Sequence, residues 1–155
     1  MALDLEDLKH QVSDESELLV EIVEDTEHLK QWTEVVSSVF GIKVDFELME
    51  YLLSEPEATF YSGILEGNPV SSLLLYLSSG VAGLFAVSTL KKYRNRGFGL
   101  VISRMALIDA FEIGYKVGVL RASALGERVY RKLGFQKYCD IISYELEENK
   151  MYLEE

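Results

Sequence analysis

The chain has one cysteine, two prolines, two histidines and no long apolar run, and each shortage closes off a class of protein. With Cys139 alone, no intrachain disulfide can form, so the sequence makes no claim to an oxidising compartment. His10 and His28 are isolated from any Cys or His at metal-ligand spacing, and no metal site is expected. Ser37 and Ser38 have no nearby His–Asp pair, which disfavours a nucleophilic triad. The longest apolar run, Leu73 to Leu77, is far too short to span a bilayer. Met1 to Asp7 is acidic and lacks the basic and apolar regions of a signal peptide. The expectation is a cytoplasmic protein with no membrane partner.

Positive charge is also scarce. The 15 Lys and Arg are outnumbered by 26 Asp and Glu, for a formal charge of −11. Nucleic acid is therefore not an expected partner, since binding it needs a basic face for many phosphates. The balance is uneven: residues 1–66 hold 17 acids against Lys9, Lys30 and Lys43. Lys91 to Lys137 holds 11 bases against Asp109, Glu112 and Glu127. Such an asymmetry suits one half facing an anion, although solvated surface on both halves explains it equally simply.

What is present is enough apolar material for a core, 48% of 155 residues, uninterrupted by repeat, low-complexity tract or linker. One domain over 1–155 is expected, with 1–15 a frayed acidic N-terminus. Leu18 to Val23 reads as a strand. Thr26 can cap a helix with Leu29, Trp32, Val36 and Val39 on one face and Gly41 as its stop. Asp45 can cap a second helix to about Leu53. Three strands follow, Thr59 to Leu65, Val70 to Leu77 and Val81 to Ser88, with turn residues between them. A long helix ending at Gly114 presents Val101, Met105, Ile108 and Phe111. Then come a strand (Lys116 to Ala122), a short helix (Leu125 to Leu133) and an extended stretch (Phe135 to Leu146). The order β-α-α-β-β-β-α-β-α-β predicts an α/β fold, a mixed sheet with helices on both faces.

Between a strand and the long helix lies Arg94-Asn95-Arg96-Gly97-Phe98-Gly99. A helix N-terminus leaves backbone N–H groups unpaired and partially positive, so it receives phosphate oxygens well. Gly97 and Gly99 permit close approach and unusual backbone angles; Lys91, Lys92, Arg94 and Arg96 add charge. An ordinary glycine-eased helix entry accounts for two glycines as well. A Walker loop is not supported, because Gly99 is followed by Leu100-Val101. The dinucleotide fingerprint is not supported either, because Ile102 stands where its third glycine belongs.

Phe85-Ala86-Val87 before this loop, and Ser123, Tyr130 and Gly134-Phe135 after it, complete a pattern that resembles the GNAT superfamily of acyl-CoA N-acyltransferases. The resemblance is firm from about Leu84 to Phe135, and element order extends it to nearly the whole chain. It implies that Phe85, Ala86 and Val87 offer strand backbone to the pantetheine arm of acetyl-CoA, with the Val87 amide polarising the thioester carbonyl. It implies that Arg94, Asn95, Arg96, Gly97, Phe98, Gly99 and Leu100 hold the pyrophosphate, mostly through backbone N–H groups. Ser123 would face the cofactor where the central strands splay, and Tyr130 would protonate the departing thiolate.

One departure is informative. Several members carry a glutamate as base five residues before the Ser123-like position, where this chain has Gly118. Glu47 and Glu50 are weak substitutes, more simply read as solvated helix charges. Cys139 reads as a small buried hydrophobe rather than a nucleophile, which favours direct transfer over a ping-pong route. The resemblance implies an N-acetyltransferase acting on a small-molecule or peptide primary amine, and the acidic N-terminal half weakly favours a cationic one. The alternative is a non-catalytic acyl-CoA-binding or regulatory module. A single C-terminal strand exposing Ile141, Ile142, Tyr144 and Leu146 would suit a homodimer by edge pairing, with a charge-blunted monomer equally compatible.

Overall fold

The computed structural model describes residues 1–10 and 16–144. Its helices begin where local chemistry starts them. Helix α1 (Thr26–Phe40) is capped by Asp25, one residue before the expected Thr26; the Asp25 carboxylate accepts from the His28 N–H. Gly41, left-handed at φ 67°, closes α1 by donating its N–H to the Ser37 carbonyl. Asp45 caps α2 (Phe46–Leu53) by accepting from the Leu48 N–H. The two central hairpins turn on Glu66-Gly67 and Ser79-Gly80, all four at positive φ. Paired positive-φ residues give the turn whose twist matches that of the strands it joins.

The sheet comprises β1 (Ala2–Asp4), β2 (Leu19–Ile22), β3 (Ala58–Leu65), β4 (Asn68–Ser78), β5 (Val81–Thr89) and β6 (Val117–Leu120), in spatial order β1-β6-β5-β4-β3-β2. Only β5 and β6 run parallel. Helix α3 (Phe98–Glu112) crosses between them, and α4 (Glu127–Lys132) follows β6. Side chains alternate faces along β3 and β4. Phe60 and Leu74, paired across those strands, pack under Leu29, Trp32 and Val36 of α1. Tyr61, Leu73 and Leu75 point the other way, onto Ile102, Ala106 and Leu107 of α3. Two groups tie the layers. The Trp32 indole donates to the Tyr61 carbonyl at 3.1 Å, and the Tyr61 hydroxyl donates to Asp109 of α3 at 2.7 Å. No helix among the described residues is long and apolar enough to cross a membrane.

Three expectations are corrected. The first residues are not frayed: β1 pairs with β6, and Leu3, Leu5 and Leu8 are buried in the main core. The acids between those leucines mask a short apolar alternation. Second, α3 does not bury Val101, Met105, Ile108 and Phe111 as its inner face. It buries Phe98, Ile102, Ser103, Ala106, Leu107 and Ala110, and Met105 is exposed. The helix is apolar around most of its circumference, so periodicity alone cannot choose the inward side. Third, Phe135 to Tyr144 forms no strand; only Gln136 pairs, bridging Ala2. The place beside β6 is already held by β1. Ile141, Ile142 and Tyr144 are exposed but lie on no sheet edge, so the edge expected to support a dimer is missing from the described residues; Leu146 lies outside them.

Leu5 tests whether the N-terminus is structural, because it is fully buried against residues distant in sequence. Leu5→Ala should cost about 2–5 kcal/mol of unfolding free energy by denaturant titration. A loss under about 0.5 kcal/mol would return the segment to solvent.

Candidate active site

The parallel pairing of β5 with β6 lasts only from Val81–Val117 to Leu84–Leu120. Beyond it, β5 continues beside β4 alone, while the chain after Leu120 turns away toward α4. The divergence opens a cavity of about 570 Å³. Phe85, Ala86 and Val87 line one side of it, Ser123, Gly126 and Tyr130 the other.

The β5 wall is bulged. Ser72 lies opposite Ser88 and Leu74 opposite Phe85, so Ala86 and Val87 together face Leu73. Ala86 sits at φ 47°, a left-handed conformation that costs a residue with a Cβ about 1–2 kcal/mol. Buried serines hold it there. The Ser72 hydroxyl donates to the Ala86 carbonyl at 3.0 Å and lies 2.6 Å from the Ser88 hydroxyl. The Ser71 hydroxyl donates to the Ser88 carbonyl at 2.6 Å. These serines escaped the sequence reading; the signal was a Ser71-Ser72 pair preceding the leucines of β4 and a third serine on the next strand.

Tyr130 is 8% exposed, with its ring edge-on to Phe135 at a centroid distance of 5.9 Å. Gly126 makes room, since a Cβ there would stand 3.1 Å from the Tyr130 ring. Burial pushes the Tyr130 phenol up to about 12, so it keeps its proton even at alkaline pH, where an exposed tyrosine would ionise. Ser123 accepts from the Gly126 N–H through its hydroxyl and from the Glu127 N–H through its carbonyl. Its side chain therefore shapes the entry to α4 as well as lining the cavity.

The glycine loop lies beyond the end of β5, outside the cavity lining. Gly97 has φ 82° and forms the N-cap of α3 without a side-chain cap, and Asn95 is also left-handed at φ 65°. The amides of Leu100 and Val101 bond the Gly97 carbonyl, so those of Phe98 and Gly99 precede the first intrahelical bonds. The Phe98 ring is buried with Leu18, Leu65 and Val70, which leaves its backbone as the part the loop presents. Gly97 is required by its backbone angle; Gly99 is not. A Cβ at Gly99 would meet nothing nearer than the Thr89 hydroxyl at 4.0 Å, and the protein's own packing gives no reason for glycine there. Arg94 donates to the Thr89 carbonyl at 3.1 Å. Arg96 is held by Glu17 at 2.5 Å with its guanidinium over the Phe98 ring.

Gly118 faces the core. A Cβ there would lie 2.8 Å from Leu107 and 3.1 Å from Leu5, so the position has no room for a carboxylate. Glu47 and Glu50 are exposed and do not line the cavity. Cys139, expected to be buried, is exposed and lines it with Lys137 and Asp140, because the strand expected to carry it does not form. Among the described residues, no group of three or more His, Cys, Asp or Glu is arranged to hold a metal ion.

Residues 61–143 match the family model described as FR47-like protein. The chain resembles an aminoglycoside acetyltransferase, meta-AAC0020, from an uncultured soil metagenomic sample (TM-score 0.72, 17% identity, covering 83% of this chain and 96% of that one). It resembles a GCN5-related N-acetyltransferase from Kribbella flavida (TM-score 0.67, 20% identity, 87% of this chain, 52% of that one). It also resembles a predicted acetyltransferase from Clostridium acetobutylicum solved with acetyl-CoA (TM-score 0.68, 14% identity, 83% and 96%). No curated protein sequence matches the chain.

The Tyr130 environment can be measured directly. An unfolded tyrosine ionises near pH 10. A folded value near 12 means that its stabilising contribution is complete below pH 10 and is lost as pH rises through 12. Ultraviolet titration of the parent minus Tyr130→Phe should place one ionisation well above pH 11; an ionisation at 10 would mean that the ring is solvated.

Proposed function

We propose that this chain, which belongs to the FR47-like family of GNAT-type acetyltransferase domains, transfers an acetyl group from acetyl-CoA to a primary amine by direct attack in a ternary complex. The observation that carries the reading is a single cavity with bulged strand backbone on one wall and a protonated phenol on the other. The soil-metagenome neighbour by fold is an aminoglycoside acetyltransferase, which supports a small-molecule amine as acceptor; a peptide amine fits the same chemistry.

The residues present fit acetyl-CoA. At Gly99 an open cradle, which any Cβ would begin to fill, adjoins the free amides at the start of α3. Arg94 to Leu100 would hold the pyrophosphate there, and Phe85 to Val87 would align the pantetheine arm. The donor supplies the activated acetyl group and a thiolate leaving group. The Val87 amide, reoriented by the bulge, would polarise the carbonyl under attack. Tyr130 would give its proton to the departing sulfur, a contribution typically worth about 10²–10⁴ in rate. Ser123 would shape the wall between them. No residue is assigned as base, since position 118 is core. That vacancy keeps a second reading alive, a non-catalytic acyl-CoA-binding module, against which the buried, protonated Tyr130 is the main argument.

Acetyl-CoA at a hundred times its Kd should stabilise the fold by about 2.7 kcal/mol in thermal unfolding. Gly99→Leu should abolish most of that shift while leaving the unliganded midpoint near the parent's, because the site is open and its φ ordinary. Binding unaffected by Gly99→Leu would make the loop a plain helix entry. Tyr130→Phe should keep acetyl-CoA affinity and lower kcat at least about tenfold; an unchanged kcat would leave Tyr130 a packing residue.

A further inference from the structure

We propose that the acceptor is a primary amine on an aromatic or aliphatic body with no second positive charge; this rests on the acetyl-transfer reading above. Three observations about the cavity wall lead there. First, Phe40 at the end of α1, Phe85 on β5 and Ile141 beyond α4 all line it, yet they are 51%, 53% and 59% exposed. Large apolar side chains from three separate segments thus meet at one cavity while still open to solvent. An apolar ligand would cover them.

Second, among the described residues the cavity has no spare carboxylate for a cation. Glu127 and Asp140 are the acids lining it, and each already holds a base: Glu127 bonds Arg131 at 2.7 Å and Asp140 bonds Lys137 at 2.5 Å. Arg121, whose guanidinium bonds the Ser143 hydroxyl, lines the same cavity and would oppose a polycation. Of the 15 acids of residues 1–66 that the structure describes, none lines it.

Third, an apolar wall suits a site without an assigned base. Desolvation disfavours an ammonium and so lowers the pKa of a bound amine, whereas a free carboxylate would hold it charged. The acceptor ammonium loses one proton to water on entry. Its nitrogen then bonds the acetyl carbon and the carbon–sulfur bond breaks. The sulfur takes the Tyr130 proton, and the second proton shed by nitrogen returns to Tyr130 through water. The products are the amide and the free thiol, with nothing oxidised or reduced.

Thiol release should be followed with acetyl-CoA and three amines: phenethylamine, ethylamine and spermidine. Burial of a ring of that size predicts kcat/KM for phenethylamine about 10- to 100-fold above that for ethylamine. Spermidine should fall below phenethylamine by a similar factor. Phe40→Ser, at a half-exposed position that should tolerate it, should collapse the phenethylamine-to-ethylamine ratio toward one. Ile141→Ser provides a second, independent variant. A preference for spermidine, or a ratio unmoved in both variants, overturns the inference and leaves acetyl transfer standing. Variants that impair only longer acyl donors such as octanoyl-CoA would assign the wall to the donor chain and also overturn it. Stabilisation by acetyl-CoA with no thiol released from any amine overturns it in favour of the binding module. Absence of both stabilisation and turnover sinks the parent reading and this one together.

Discussion

The short pairing of β5 with β6 is the constraint from which the rest of the site follows. β6 has four residues and β5 has nine, so the parallel ladder ends at Leu84–Leu120 with half of β5 still to run. An unshared strand flank inside a protein presents backbone polar groups that need partners. A cavity forms there because none of the described residues fills the gap, and its walls are the two strand ends that separate. So short a strand needs a second partner, which the N-terminal residues supply. β1 lies along β6, and Leu5 and Leu107 fill the space left by Gly118. A carboxylate at that position, as the resemblance implies for several superfamily members, and the packing found here are mutually exclusive. In this chain the position serves the core.

The bulge shows how much structure is spent on aiming two residues. Left-handed Ala86 costs about 1–2 kcal/mol on its own. A buried hydroxyl left without a partner would add about 1–3 kcal/mol. The serine chain from Ser71 through Ser88 to Ser72 and the Ala86 carbonyl satisfies each hydroxyl while fixing the kink. Net hydrogen-bond gains of about 0.5–1.5 kcal/mol each roughly offset the strain. An arrangement that only balances itself adds little stability, so its value lies in where it points the backbone.

Features whose cause is local were legible in the sequence. Asp45, Gly41, the two hairpin turns and the helix entry at Gly97 are dictated by neighbours within a few residues, and they stand where the residues predict them. The cap of α1 was misplaced by one position, because Asp25 and Thr26 are both competent. Features set by distant partners were not legible. Whether Leu5 is core depends on Gly118, more than a hundred residues away. The inner face of α3 depends on the sheet it meets, since its apolar residues run most of the way round. The strand expected after Phe135 depended on a free place beside β6. The family pattern located Phe85 to Val87, Ser123 and Tyr130 on one cavity, but not the serines that hold the bulge, because hydroxyls in a strand look like ordinary polar alternation.

The charge asymmetry acquires a different meaning once the residues are placed. The described acids of residues 1–66 stay away from the cavity, and one of them, Glu17, instead reaches across to Arg96 in the glycine loop. Both partners are substantially exposed, at 38% and 57%, so the pair contributes only about 0–1 kcal/mol and is weakened by salt. Such a contact orders a cationic loop without locking it, since any multiply charged anion at the α3 N-terminus offers Arg96 a stronger partner. Arg94, tied to the Thr89 carbonyl, keeps its full charge beside the same helix end. Among the described residues the loop thus keeps one arginine with no carboxylate partner and one lightly restrained, next to backbone amides that already carry the helix's partial charge. Most of the chain's acids lie outside the basic stretch from Lys91 onward, which keeps that stretch's potential local to the helix end.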